Sequence, residues 1–126
     1  MKNRIILGVL AVLLSGFVVI SNAQTTASEE SSVTLINPFE IPADKLDATV
    51  SMWEQARDFL KHQPGYISTQ LHQSLKPEAK YRLINVAKWE NAKTFQTAMQ
   101  KMQAEIELPR IEGVKNGPEL YTVIRQ

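Results

Sequence analysis

The side chains with the clearest chemical potential lie on one stretch of alternating residues. From Tyr81 to Trp89 the residues favour a β-strand, in which alternate side chains point to opposite faces. One face carries the amide of Asn85 and the indole of Trp89 among apolar neighbours, with the small Ala87 between them. This combination indicates a pocket lining, because a buried amide without partners costs about 1–3 kcal/mol. Both residues also have a structural interpretation, Trp89 as core and Asn85 as the partner of a nearby loop.

Other polar side chains on predicted strands are weaker candidates. A strand is predicted from Tyr66 to Leu75, and its alternation places five side chains on one face: Tyr66, Ser68, Gln70, His72 and Ser74. A histidine among polar neighbours is more often a surface or interface residue than a catalytic one. Asn37 precedes Pro38, and an Asn-Pro pair favours turn initiation. Periodicity alone leaves open which strand faces meet.

Composition excludes several classes of site. The chain of 126 residues has no cysteine, so it has no disulfide, thiolate nucleophile or cysteine-held metal, and with only two histidines a histidine-rich metal site is not expected. It contains no glycine-rich phosphate loop, serine elbow, paired carboxylate motif or zinc helix signature. Beyond residues 1–23, 12 basic residues stand against 13 acidic ones, which is not the charge of a nucleic-acid binder.

The first residues predict an export signal. Lys2 and Arg4 precede an apolar run of 16 residues, Ile5 to Ile20, and small residues follow up to Ala23. This pattern is typical of a secretory signal peptide cleaved after Ala23, whereas a membrane-spanning helix needs about 20 apolar residues. The alternative is an uncleaved membrane anchor. We expect residues 1–23 to be the signal, residues 24–32 a disordered linker, and the domain at 33–126 to be periplasmic or secreted, without a membrane contact after cleavage.

The elements that must position the candidate residues follow an alternating order. Two helices are predicted, one over Ala43–His62 and one that Asn91 caps, the second with Phe95, Ala98, Met99 and Met102 at helical spacing. Four strands are predicted: Val33–Phe39, Tyr66–Leu75, Tyr81–Trp89 and Leu120–Arg125. The order β-α-β-β-α-β predicts an α+β fold of the ferredoxin-like type, with both helices on one face of the sheet. The other face needs a cover, which predicts a homodimer.

Four motifs in a fixed order carry a family resemblance. They are Leu35-Ile36-Asn37-Pro38-Phe39-Glu40, Pro64-Gly65-Tyr66, Leu71-His72-Gln73-Ser74-Leu75 and Asn85-Val86-Ala87-Lys88-Trp89-Glu90. Together they resemble the antibiotic biosynthesis monooxygenase (ABM) family, over Val33 to Ile124. The signal segment would make this chain an exported member. The resemblance implies a dimeric ferredoxin-like α/β barrel.

The resemblance also implies a chemistry. Members of the family oxidise anthrone-like polyketides or quinols with O₂ as co-substrate and with no metal, flavin or other cofactor. An electron-rich phenolic substrate, once deprotonated, is able to pass an electron to O₂ directly. The protein then needs an apolar pocket, a proton acceptor or relay, and donors for the enolate oxygen. We therefore expect a cofactor-independent monooxygenase that acts on a small electron-rich aromatic.

Site residues follow from the same resemblance, position by position. The implicated Asn and Trp correspond to Asn85 and Trp89, and the family histidine to His72, a candidate proton relay. For substrate binding, the first-strand Asn of the haem-degrading branch corresponds to Asn37, Phe95 stands where an aromatic hydroxyl is expected, and Arg110 is the nearest match to the family arginine.

Two alternatives bear on the function. The haem-degrading branch needs a Trp where this chain has Ala98 and a later His, and no histidine lies beyond His72, so haem degradation is not expected. The second alternative is a non-catalytic dimeric domain of the periplasm, for ligand binding or stress protection. Phe95 and the unplaced arginine favour that interpretation, whereas Asn85 and Trp89 together favour the oxygenase.

Overall fold

Two helices cover one face of an antiparallel sheet of five strands in the computed structural model, which describes residues 31–126. The elements are β1 (Val33–Glu40), a short 3-10 turn (Ala43–Lys45), α1 (Leu46–Leu60), β2 (Tyr66–Gln73), β3 (Leu83–Trp89), α2 (Ala92–Glu105), β4 (Lys115–Asn116) and β5 (Glu119–Tyr121). The predicted α+β class and element order are confirmed. The predicted signal peptide and all but the last two residues of the predicted linker lie outside the described residues.

The sheet has the strand order expected from a split β-α-β unit. β3 lies between β1 and β2 and is antiparallel to both, so β1 and β2 run in the same direction on either side of it. On its other side β1 pairs with β4 near Phe39 and with β5 near Leu35. The last strand of the ferredoxin-like order is therefore present as two short pieces.

The two helices begin differently: a side chain caps the first free N–H groups of α2, whereas α1 follows a 3-10 turn and has no side-chain cap. The side chain of Asn91 accepts a hydrogen bond from the backbone N–H of Thr94 at 2.8 Å, which confirms the predicted N-cap of α2. The fully buried Thr49 donates to the carbonyl of Lys45 at 2.7 Å and ties α1 to the turn before it. The predicted first helix was three residues longer at its start, where the structure has a 3-10 turn instead.

A bulge in β2 changes which of its side chains share a face. Tyr66 lies opposite Trp89, but Ser68 already lies opposite Lys88, so one residue, Ile67, is left over and is 51% exposed. Before the bulge Tyr66 points to the helices, and after it His72 lies opposite Ile84 and points to the other face. The predicted common face of Tyr66 and His72 is therefore wrong, because strict alternation does not hold across an extra residue.

The core lies between the sheet and the helices. Its buried cluster consists of Leu35, Ala87, Trp89 and Ala98, against which Val33, Leu60, Tyr66, Phe95 and Leu120 pack. All four residues that alternation assigned to one face of β3 are buried, Leu83, Asn85, Ala87 and Trp89. Ile36, Ile84 and Val86, on the opposite face, are only half-buried. That face has no helix over it in the described part of the chain.

Strand ends differ from the sequence-based prediction. β2 ends at Gln73 rather than Leu75, β3 begins at Leu83, and the last strand covers only Glu119–Tyr121 instead of Leu120–Arg125. Lys115–Asn116 is a strand that periodicity did not indicate, because two residues carry no pattern. Within residues 31–126, no helix combines the length and the apolar composition that a membrane crossing requires.

We predict that Gly65→Ala will destabilise the fold by about 2 kcal/mol. Gly65 has a φ of +89°, which L side chains rarely adopt, and an added Cβ would collide with the side chain of Thr94. Gly117→Ala is the matched control, because a Cβ at Gly117 meets nothing within 4 Å. Chemical denaturation of both variants measures the difference, and equal stabilities would contradict this account of Gly65.

Candidate active site

A cavity of about 480 Å³ opens between the helices and the covered face of the sheet. Aromatic, aliphatic and methionine side chains make up most of its wall, among them Phe39, Trp53, Leu60, Trp89, Phe95, Met99 and Met102. Ala87 lies in the middle of β3 and leaves room above the sheet, because its side chain ends at Cβ. A cavity of this size and composition accommodates a small apolar or aromatic molecule.

Three amide side chains and one threonine hydroxyl interrupt the apolar wall. Asn85 and Asn37 lie directly opposite each other on β3 and β1, Thr69 is on β2 and Asn116 is on β4. Thr69 donates a hydrogen bond to Oδ1 of Asn85 at 2.7 Å, and Asn116 donates from Nδ2 to Oδ1 of Asn37 at 3.3 Å. These side chains, which we call the polar row, cross four strands of the sheet within a mostly apolar cavity.

Trp89 combines both of the roles that the sequence left open. It is 1% exposed and makes edge-to-face contacts with Tyr66 and Phe95, each with ring centroids 5.6 Å apart. It also lines the cavity, as do Tyr66 and Phe95 themselves. Trp89 is therefore a core residue whose ring forms part of the cavity wall, and Phe95 holds it in place.

His72 does not lie with the other candidates. It is exposed on the face opposite the cavity, where its Nδ1 is 3.3 Å from the carbonyl oxygen of Ile84. The expectation that His72 relays a proton to or from a molecule beside Asn85 is thus not met within one chain. The β2 bulge is the physical reason, because it reverses the faces of all residues after Ile67.

Arg110 is also outside the cavity that holds the polar row. It lines a neighbouring cavity of about 580 Å³, which shares Phe39, Met52 and Asn116 with the first. The arginine that lines the cavity of the polar row is Arg57 of α1, which was not singled out from the sequence.

Arg57 is held at the cavity by two neighbours. Its guanidinium lies 5.2 Å from the ring centroid of Trp53 and 3.0 Å from a carboxylate oxygen of Asp58. The hydrogen bond from Arg57 lowers the pKa of the Asp58 carboxyl, and the charges of Arg57 and Lys61 act in the same direction. Among the described lining residues, Arg57 is the cation and Glu119 the carboxylate.

The cavity wall lacks histidine, the commonest ligand of haem iron in proteins. Neither histidine of this chain, His62 or His72, lines the cavity, whereas Tyr66 and three methionines do. Within residues 31–126, no three histidine, aspartate or glutamate side chains cluster closely enough to hold a metal ion.

Residues 32–104 match the model of the family described as antibiotic biosynthesis monooxygenase. The chain belongs to this family. A candidate monooxygenase from Shewanella loihica PV-4, known from its crystal structure, is 52% identical to this ABM protein; the match covers 76% of this chain and 97% of that one, with a TM-score of 0.70. The family membership predicted from the four motifs is confirmed.

More distant structures share the fold. SnoaB from Streptomyces nogalater, a cofactor-independent oxygenase, is 18% identical over 76% of this chain and 96% of its own, with a TM-score of 0.55. The haem degrader MhuD from Mycobacterium tuberculosis is also 18% identical, over 75% of this chain and 97% of its own, with a TM-score of 0.58. Among curated proteins, none shows significant similarity to this ABM protein. At such low identities the two structures support the fold alone.

We predict that His72→Gln will leave the affinity of the cavity for 1-naphthol within about twofold of the natural protein, since distant sites act independently. Ala87→Leu should weaken binding at least tenfold, because the larger side chain occupies the space above β3. Titration calorimetry under nitrogen measures both affinities. A strong loss with His72→Gln would restore His72 to the site.

Proposed function

We propose that this ABM protein is a monooxygenase that oxidises a small electron-rich aromatic, a quinol or an anthrone-like phenol, with O₂ and without a metal or organic cofactor. The family and its oxygenase members support an oxidoreductase. The observation that carries the proposal is the pair of amides, Asn85 and Asn37, in the wall of an apolar cavity that is large enough for an aromatic ring.

In this reaction the protein needs only to bind the substrate and to polarise its phenolic oxygen. A deprotonated phenol is electron-rich enough to reduce O₂ by one electron, and the two radicals then combine at a ring carbon. The hydroperoxide formed at that carbon then loses water: its O–O bond and a C–H bond at the same carbon break, and a carbonyl forms. One oxygen atom remains in the product and the other leaves as water, with every electron supplied by the substrate. No external reductant is needed, which makes a nicotinamide or flavin dispensable.

Each part of the cavity has a task in this reaction. N–H groups from the polar row stabilise the negative charge on the substrate oxygen, and such donors act strongly in an apolar, water-poor site. Trp89 and Phe95 line the cavity and would pack against the bound ring. The apolar wall also keeps water away from the radical pair, which would otherwise separate before it combines.

We propose that the protein works as a homodimer outside the cytoplasm. Ile36, Ile84 and Val86 form an apolar strip on the face without helices, and a second sheet packed against it would close an α/β barrel. The basic and apolar residues of segment 1–23 support export. An exported enzyme would meet small quinols or phenols rather than an intracellular polyketide intermediate.

We expect the purified, chelator-treated protein to consume O₂ with quinols or anthrones faster than these compounds autoxidise. Asn85→Ala should lower kcat/KM about 10- to 100-fold, because one hydrogen bond to a developing anion is lost. Asn91→Ala is the matched control, since it removes an amide that caps α2 but does not line the cavity. Asn91→Ala should lower the free energy of unfolding by about 1 kcal/mol and change kcat/KM little.

An oxygen electrode and thermal denaturation of the same samples separate the two effects. No excess O₂ uptake with any compound would overturn the oxygenase and leave a non-catalytic binding domain as the better account. Equal loss of activity in Asn85→Ala and Asn91→Ala would make Asn85 a structural residue.

We further expect the natural protein to be a dimer at micromolar concentration by light scattering. Val86→Glu places a charge in the apolar strip and should give monomers. Lys101→Glu changes the charge of the exposed surface of α2 and should leave the dimer intact. A monomeric natural protein, or a dimer that Val86→Glu does not affect, would refute this arrangement.

A further inference from the structure

The amide oxygens of the polar row are already engaged by neighbouring side chains. Oδ1 of Asn85 accepts from Thr69, and Oδ1 of Asn37 accepts from Asn116. Among residues 31–126, Nδ2 of Asn85 and Nδ2 of Asn37 donate no hydrogen bond. A primary amide carries its acceptor at one end and its donors at the other. Both amides therefore turn their donor ends away from the neighbour that holds them.

The fold determines where Thr69 and Asn116 lie relative to the two amides. Thr69 faces the cavity only because the bulge after Tyr66 shifts the alternation of β2, and it lies opposite Ala87, diagonal to Asn85. Asn116 lies in β4, opposite Phe39 and so diagonal to Asn37. Diagonal neighbours on adjacent strands lie within reach of a polar side chain. Each cavity amide thus has one partner on an outer strand, on the side away from the other amide.

We propose that Thr69 and Asn116 are positioning residues that fix Asn85 and Asn37 as hydrogen-bond donors, so that the cavity binds a phenol in its ionised form. The inference rests on the proposed function and specifies how that site recognises its substrate. A neutral phenol must donate its own proton, and the oxygens of both cavity amides already accept from Thr69 and Asn116, whereas a phenolate oxygen accepts from both amides. Hydrogen bonds to an ionised acceptor are stronger than hydrogen bonds to a neutral one.

The other polar groups around the cavity are the same in every variant that tests this inference. Arg57 on α1 and Glu119 on β5 are the charged side chains among the described lining residues, and Tyr66 on β2 contributes a phenol group of its own. Because none of the three is altered, differences between variants report the orientation of the amides.

The test uses 4-nitrophenol as the probe, because its phenolate absorbs visible light and its ionisation is read directly from the spectrum. Titrations of the full protein at several pH values, under nitrogen, give the affinity for the phenol and for the phenolate. The natural protein should bind the phenolate at least tenfold more tightly than the phenol, which lowers the pKa of the bound probe.

Two substitutions remove the positioning hydrogen bonds one at a time. Thr69→Val and Asn116→Ala each free one amide to rotate, and each should reduce the preference for the phenolate about fivefold. Thr69→Ser keeps the hydroxyl and should restore the preference. Thr97→Val is the matched control, since Thr97 is exposed on α2 and does not line this cavity.

The outcomes separate this inference from the oxygenase proposal, because the measurement requires no turnover. Preference for the neutral phenol, no binding at millimolar probe, or an unchanged preference in folded Thr69→Val and Asn116→Ala would overturn it. If Thr69→Val does not fold, Asn116→Ala decides alone. A lowered probe pKa without O₂ uptake would support the donor site and reject the oxygenase. O₂ uptake without a phenolate preference would support the oxygenase and reject the donor site.

Discussion

The single extra residue in β2, between Tyr66 and Ser68, is the constraint on which the arrangement of the site depends. Before it, Tyr66 faces the helices and packs edge-on against Trp89; after it, Thr69 faces them and bonds to Asn85. A regular strand would hold only one of the two on that side, because odd and even positions point to opposite faces. The bulge therefore joins an aromatic contact and a polar contact on one surface of one strand.

The cavity exists because the core leaves its centre unfilled. Ala87 lies between Asn85 and Trp89 where a larger aliphatic residue would fill the space, and the buried Asn85 occupies a position that a tightly packed core would give to an apolar side chain. The unfilled space and the buried amide both reduce stability. Mutual hydrogen bonding within the polar row offsets part of that cost. Such an arrangement is typical of a binding site rather than of a core.

Much of the fold could be predicted from the sequence, because it depends on short-range patterns. The alternation from Leu83 to Trp89 and the cap at Asn91 are local signals, and both are present in the structure. The bulge was not predictable in the same way, since a run of polar residues around His72 carries no mark of a shifted register. Arg57 and Asn116 line the cavity only through tertiary packing. Arg57 lies among charged residues of α1, and Asn116 lies in a two-residue strand, so no local pattern indicated either of them as a site residue. The roles of the site residues remain predictions.

The divided last strand has a consequence for behaviour in concentrated solution. β4 and β5 form one border of the sheet, and Gly117 and Pro118 separate them, so this border offers only short runs of backbone groups and includes a proline without an N–H. The opposite border is β2, which the bulge bends at Ile67. Among residues 31–126, the border formed by β4 and β5 presents no long row of backbone groups, and the regular run of β2 is limited to Ser68–Gln73. These short borders disfavour the edge-to-edge addition of another chain and fibril growth.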